Sequence, residues 1–105
     1  MKRLSDKEFL ERKAFIYAVN NYCNTTECFI SSYKNYSYCI TDFYSDFCHM
    51  SIVIFKLTKA GNIKLIYENN CLEEITELFG KNFRNNSINT VRRKVADFIK
   101  VNLEE

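Results

Sequence analysis

A short loop with a glycine near its end constrains the fold of this 105-residue chain more than any other feature. The loop Thr58 to Asn62 separates two segments rich in β-branched and aromatic residues, Ser51 to Leu57 and Ile63 to Tyr67. Gly61 tolerates the left-handed conformation that closes a type I turn with a bulge, so the pattern predicts a β-hairpin. In the register that follows, apolar residues face each other on one side of the hairpin. The predicted pairs are Leu57 with Ile63, Phe55 with Leu65 and Val53 with Tyr67.

A second hairpin is predicted upstream of the first. The segments Cys28 to Tyr33 and Tyr36 to Thr41 are rich in residues that favour strands, and Lys34-Asn35 fits a two-residue turn. In this register Tyr33 pairs with Tyr36, and aromatic side chains accumulate on one face.

Helical patterns flank the two hairpins. Ser5 and Glu8 form a capping box at the start of a helix from Asp6 to Tyr22. A short amphipathic helix ends at Gly80, and a longer one follows from Ile88 to Leu103. The order α-β-β-β-β-α-α predicts an α+β fold: a four-stranded antiparallel sheet with an N-terminal helix and two C-terminal helices. We expect the helices to pack on one face of the sheet.

The second half of the first helix, Ala14 to Val19, is apolar on all sides. A helix of this kind is buried on more than one side. We expect it to contact both the sheet and the last helix. The alternative is that it forms a surface for self-association or for a partner protein.

Length and charge narrow the functional classes. The chain fits a single α+β domain over residues 1–105. Its net charge of +2 argues against both a nucleic-acid mimic and a strongly cationic binder. Charged residues interrupt the N-terminus before any apolar run, and no apolar stretch is long enough to span a membrane. We therefore expect a cytoplasmic protein that does not bind membranes.

Catalytic and metal-binding signatures are missing. The two glycines are both assigned to turns or helix ends, which excludes a glycine-rich phosphate loop. Adjacent Cys48 and His49 would point to opposite faces of a strand, so they do not form a dyad with each other. The spacing of the candidate zinc ligands does not match a zinc knuckle. We expect free thiols, no metal, no cofactor and no enzymatic activity, and a structural zinc site is the alternative left open. The candidate zinc ligands are Cys23, Cys28, Cys39, Cys48 and His49.

An aromatic surplus between Phe29 and Phe47 suggests a protein-binding surface. A small sheet under helices on one face would leave some of these rings exposed, and exposed tyrosine and phenylalanine are typical anchors of interfaces. The predicted protein-binding residues are Tyr33, Tyr36, Tyr38, Phe43 and Tyr44.

A basic segment between Glu77 and Asp97 suggests a different ligand, nucleic acid. Cations and backbone donors near a helix start suit a phosphate backbone. Successive helical residues point about 100° apart, however, so the Arg-Arg-Lys run does not form one patch. The predicted nucleic-acid-binding residues are Lys81, Arg84, Arg92, Arg93 and Lys94.

We interpret the chain as a small non-enzymatic protein-binding module, an inhibitor or accessory factor. Residues with AT-rich codons are abundant, which suggests a phage, mobile-element or viral origin. The expected partner is a host protein, such as a nucleic-acid-processing or defence complex, and a homodimer is left open. The alternative is a nucleic-acid-binding domain that uses the segment Lys81 to Lys94.

Overall fold

The predicted order of helices and strands is confirmed by a computed structural model, which describes residues 5–22, 28–41, 50–80 and 87–104. The strands form one antiparallel sheet in the order β1-β2-β3-β4. The α+β fold class is therefore confirmed. The elements are α1 (Asp6–Tyr22), β1 (Cys28–Tyr33), β2 (Tyr36–Thr41), β3 (Ser51–Leu57), β4 (Ile63–Asn69), α2 (Leu72–Phe79) and α3 (Ile88–Asn102).

Local hydrogen bonds explain where these elements begin and turn. At the start of α1, the Glu8 backbone N–H donates to Ser5 Oγ at 3.2 Å, and Ser5 Oγ donates to Glu8 Oε1 at 3.1 Å. At the start of α3, Ser87 Oγ accepts the Thr90 N–H at 3.3 Å. Gly61 has a φ of +85°, as the predicted turn requires. Short-range chemistry therefore sets these boundaries.

The helices cover both faces of the sheet, so the expectation that they share one face was wrong. Helix α1 packs over β1, β2 and β3 on one face, whereas α2 and α3 cover the other. The expected contact of α1 with α3 was also wrong, because the sheet lies between them. The physical reason is that β2 and β3 carry apolar residues on both faces, and both faces must be buried. The face under α1 carries Cys39, Val53 and Phe55, and the face under α2 and α3 carries Tyr36, Tyr38, Ile40, Ile52 and Ile54.

The register of the β3–β4 hairpin changes partway along its length. The two predicted pairs nearest the turn are confirmed, Leu57 with Ile63 and Phe55 with Leu65. The predicted pair of Val53 with Tyr67 was wrong: an irregularity follows, after which Tyr67 pairs with Ile54 and Glu68 pairs with Val53. An extra residue reverses the alternation of side chains. Tyr67 therefore packs under α2 and α3, while Glu68 lies on the side of α1.

Buried hydroxyl groups in the sheet differ in their hydrogen bonding. Thr41 Oγ1 and Ser51 Oγ are hydrogen-bonded to each other across β2 and β3. Ser37 Oγ is also buried, but no hydrogen-bond partner is found for it within the described part of the chain.

Alanine at these two serines is expected to have opposite effects. Ser37→Ala removes a buried unpaired hydroxyl and should raise the free energy of unfolding by about 1 kcal/mol. Ser51→Ala leaves the Thr41 hydroxyl without its partner and should lower the free energy of unfolding by about 1 kcal/mol. Urea unfolding of both variants measures the difference. Changes of the same sign would show that the Ser37 hydroxyl is satisfied in solution.

Candidate protein-binding surface

Two of the predicted tyrosine anchors are core residues. Tyr36 and Tyr38 are only 2% and 1% exposed, so the expectation that these rings lie on the surface was wrong. They face α2 and α3, which cover the side of the sheet that was expected to be open. Tyr33 is partly buried against the same cluster, and its hydroxyl donates to Glu104 at 3.2 Å. Phe43 and Tyr44 lie outside the described residues.

Lys94 has a structural contact that the sequence did not indicate. Its Nζ donates to the backbone carbonyl oxygen of Phe79 at 2.7 Å. That carbonyl belongs to the last turn of α2, where carbonyl groups lack partners within the helix. The Lys94 ammonium therefore stabilises the end of α2, and this contact ties α3 to α2.

The other predicted cations fall into two groups. Arg92 and Arg93 are exposed on α3, and the Arg92 guanidinium carbon lies 5.9 Å from the centre of the Phe29 ring. Lys81 and Arg84 lie outside the described residues. Arg92 and Arg93 are therefore the described cations of the basic segment that point to solvent.

Two of the candidate zinc ligands lie on the same face of the sheet. Cys28 and Cys39 both lie in the cluster under α1. Burial, together with the neighbouring Cys28 thiol, raises the pKa of Cys39 well above its usual range, which disfavours the reactive thiolate. Cys23, Cys48 and His49 lie outside the described residues. Among the residues described, no group of three His, Cys, Asp or Glu side chains could hold a metal ion.

Helix α1 has a buried side and an exposed apolar side. The side towards the sheet carries the small and medium residues Leu10, Ala14 and Ala18, which are buried. The side away from the sheet exposes Phe9 and Ile16, and Phe15 is exposed on one flank of the helix. We call Phe9, Arg12, Lys13, Phe15 and Ile16 the outer α1 face. Because none of the described elements covers it, this face is open to a partner.

The outer α1 face combines apolar anchors with cations, and Glu8, one turn before Arg12, adds an exposed carboxylate near its N-terminal end. Phe9 and Ile16 are seven positions apart, which places them about 10 Å apart along the same side of the helix. Arg12 and Lys13 lie between them along the axis, one on each side of the line that joins them. The ion pair found among the described residues joins Lys34 and Glu104, so neither Arg12 nor Lys13 is neutralised by a described carboxylate.

Two tyrosines of α1 donate hydrogen bonds to β4 at the edge of the sheet. The Tyr17 hydroxyl donates to the Glu68 carboxylate at 3.0 and 3.1 Å, and the Tyr22 hydroxyl donates to the same carboxylate. Burial and these hydrogen bonds raise the pKa of both tyrosines, so both remain neutral donors at physiological pH. The Tyr17 ring also packs edge-on against Phe55, with 5.4 Å between the ring centres. The β4 irregularity that turns Glu68 towards α1 therefore helps to hold the outer α1 face in place.

Sequence reasoning identified the apolar helix but not which side of it is exposed. The apolar run from Ala14 to Val19 offered two alternatives, and the structure leaves Phe15 and Ile16 of this run exposed. The spacing of Phe9 and Ile16 was a usable signal, because residues seven apart share a helix face. The missing information was that Ala14 and Ala18 would occupy the inner side.

None of the described helices is both long and apolar enough to cross a membrane.

Comparison of the chain with protein-family models, curated proteins and solved structures found no match.

Proposed function

We propose that this chain is a non-enzymatic protein-binding module and that the outer α1 face is its contact surface. The observation that carries the proposal is the exposure of Phe9 and Ile16 on the side of α1 away from the sheet, with Phe15 exposed on a flank. Burying such side chains against a partner favours a complex, because apolar surface removed from water contributes about 25 cal/mol per Å² before the entropic and desolvation costs of association are subtracted. Interfaces typically gain most of their binding free energy from a few anchors of this kind.

The two cations on this face define the chemistry of the partner. Arg12 and Lys13 are exposed next to the apolar anchors. A partner with carboxylates around an apolar site would be attracted, and a basic partner would be repelled. We infer that the partner presents an apolar site with acidic residues at its rim.

An inhibitor or accessory factor is the class that this proposal favours. Such a protein needs a stable fold and one contact surface but no catalytic residues. A host protein, including one in a nucleic-acid-processing or defence complex, fits this role. Support for this assignment comes from the abundance of residues with AT-rich codons, which suggests a phage, mobile-element or viral origin.

Ile16→Asp is expected to reduce the amount of partner captured by the immobilised protein at least ten-fold. The reason is that binding would bury the new carboxylate in an apolar contact opposite acidic groups. The matched control is Ile88→Asp, the same substitution on α3, because Ile16 and Ile88 are similarly exposed, at 48% and 44%. Capture from a lysate, quantified by mass spectrometry, provides the measurement. Equal capture by the two variants would contradict the proposal, provided that both have the unfolding midpoint of the parent protein.

Nucleic-acid binding through the segment Lys81 to Lys94 is the second candidate. It is favoured by the exposure of Arg92 and Arg93, which form no ion pair with a described carboxylate. Nuclease treatment before capture separates the two candidates. Loss of the captured protein after that treatment, together with sensitivity to Arg93→Ala, would favour nucleic acid over a direct protein contact.

A further inference from the structure

We propose that the outer α1 face binds a second copy of this chain, at the crevice between α2 and α3. This inference rests on the proposed function, because it concerns the same face, for which a second copy and a host protein would compete. Helices α2 and α3 cover the side of the sheet opposite α1. The contact therefore joins two different surfaces, and copies associate head to tail.

The crevice between α2 and α3 supplies an apolar site. It has a volume of about 330 Å³, and Leu78, Phe98 and Val101 contribute its apolar lining. Leu78 and Val101 are among the large apolar residues that the fold leaves exposed. A protruding side chain such as Ile16 would cover both of them.

The acidic residues of α2 complement the cations of α1. Helix α2 contains Glu73, Glu74 and Glu77 and no lysine or arginine. Glu74 lies one helical turn before Leu78, just as Arg12 lies one turn before Ile16. Glu74 and Glu77 also line a second depression, of about 600 Å³, which meets the crevice at Leu78. An apolar anchor flanked by cations thus matches an apolar crevice flanked by carboxylates.

The charges of α3 contribute less to this match. Asp97 lines the crevice, but Arg93 and Lys100 lie about one turn away from it on the same helix. Lys94 also lines the crevice, and its ammonium is engaged by the Phe79 carbonyl oxygen. The negative charge at the site therefore comes mainly from α2.

A symmetric contact between two α1 helices is disfavoured by the same charges. In an antiparallel pair centred between Phe9 and Ile16, Phe9 of one copy faces Ile16 of the other, and Arg12 and Lys13 each lie beside the same residue of the other copy. Like charges placed directly opposite each other oppose association. The crevice of a second copy offers carboxylates instead. A contact between unlike surfaces closes into a ring or continues as a chain of copies.

Complementation between two single variants tests the head-to-tail contact. Ile16→Asp disables the α1 surface, and Leu78→Asp disables the crevice. We expect the parent protein and Ile88→Asp to associate with rising concentration in sedimentation velocity. We expect each disabled variant to remain monomeric. Their equimolar mixture should form one-to-one dimers, because one variant retains the α1 surface and the other retains the crevice.

Different results identify which idea fails. A parent protein that stays monomeric at every concentration would overturn the self-association, while sensitivity of partner capture to Ile16→Asp would leave the proposed function standing. Association of Leu78→Asp alone would indicate a symmetric α1 contact and would rule out the crevice as the binding site. If the mixture of Ile16→Asp and Leu78→Asp stayed monomeric, binding at the crevice would also be contradicted. Loss of association in Arg12→Glu, restored by mixing with Glu74→Lys, would support the charge match.

Discussion

Tyr38→Ala is expected to lower the free energy of unfolding by about 3–5 kcal/mol. The ring is 1% exposed and lies in the cluster covered by α2 and α3, with its centre 6.2 Å from that of Phe29. Truncation removes buried apolar surface and leaves a cavity that the strands cannot close. Small domains are stable by only about 5–15 kcal/mol, so this loss is a large fraction of the total.

Two further variants serve as comparisons for Tyr38→Ala, one at the same residue and one at an exposed aromatic ring. Tyr38→Phe keeps the ring and removes the hydroxyl that hydrogen-bonds to Ser31, so we expect a loss of about 1 kcal/mol. Phe9→Ala removes an exposed aromatic ring and should change the free energy of unfolding by less than about 0.5 kcal/mol. Urea unfolding followed by circular dichroism measures all three variants. If Tyr38→Ala were as mild as Phe9→Ala, the ring could not be part of a packed core.

Ala14→Leu is expected to lower the free energy of unfolding by about 1–3 kcal/mol. Ala14 is fully buried and shares a cluster with Cys39 and Val53 of the sheet below it. A leucine adds three carbon atoms where the helix approaches the strands, so either α1 or the strands must shift. Leucine and alanine both favour helices, so the effect would come from packing and not from helix propensity.

The neighbouring position is the control for this prediction. Lys13 is exposed on the other side of α1, and Lys13→Leu should leave the free energy of unfolding within about 0.5 kcal/mol of the parent value. Thermal unfolding of the two leucine variants gives the comparison. Equal stability of both would mean that Ala14 does not fill a confined space between α1 and the sheet.

The displacement of α1 would also affect binding. The outer α1 face is held by the inner packing of the helix and by the bonds of Tyr17 and Tyr22 to Glu68. A shifted helix would move Ile16 relative to the rest of the surface. Ala14→Leu is therefore expected to lower both stability and binding, whereas Ile16→Asp is expected to lower binding alone.

Local chemistry made most elements of the fold predictable. Ser5 and Ser87 cap helices through hydrogen bonds to residues three positions ahead, and Gly61 adopts the positive φ of its turn. These interactions depend on neighbours in the chain, so they can be predicted from the sequence. The hairpin pairs close to each turn were predictable for the same reason.

The candidate site was less predictable, because exposure depends on distant parts of the chain. Tyr36 and Tyr38 were expected on the surface, but α2 and α3 bury them. Lys94 looked like one of several solvated cations, but the end of α2 lies within reach of its ammonium. In both cases a residue remote in sequence decided the environment of the side chain.

The sequence by itself determined the order of the elements, the capping box of α1 and the turn residues, because each rests on short-range steric and hydrogen-bonding preferences. The tertiary structure alone decided which helix covers which face. Strands with apolar residues on both faces, and a helix that is apolar all round, are compatible with several arrangements. The choice was made by packing: Ala14 and Ala18 are small enough to lie against the sheet, which left Phe9 and Ile16 facing solvent.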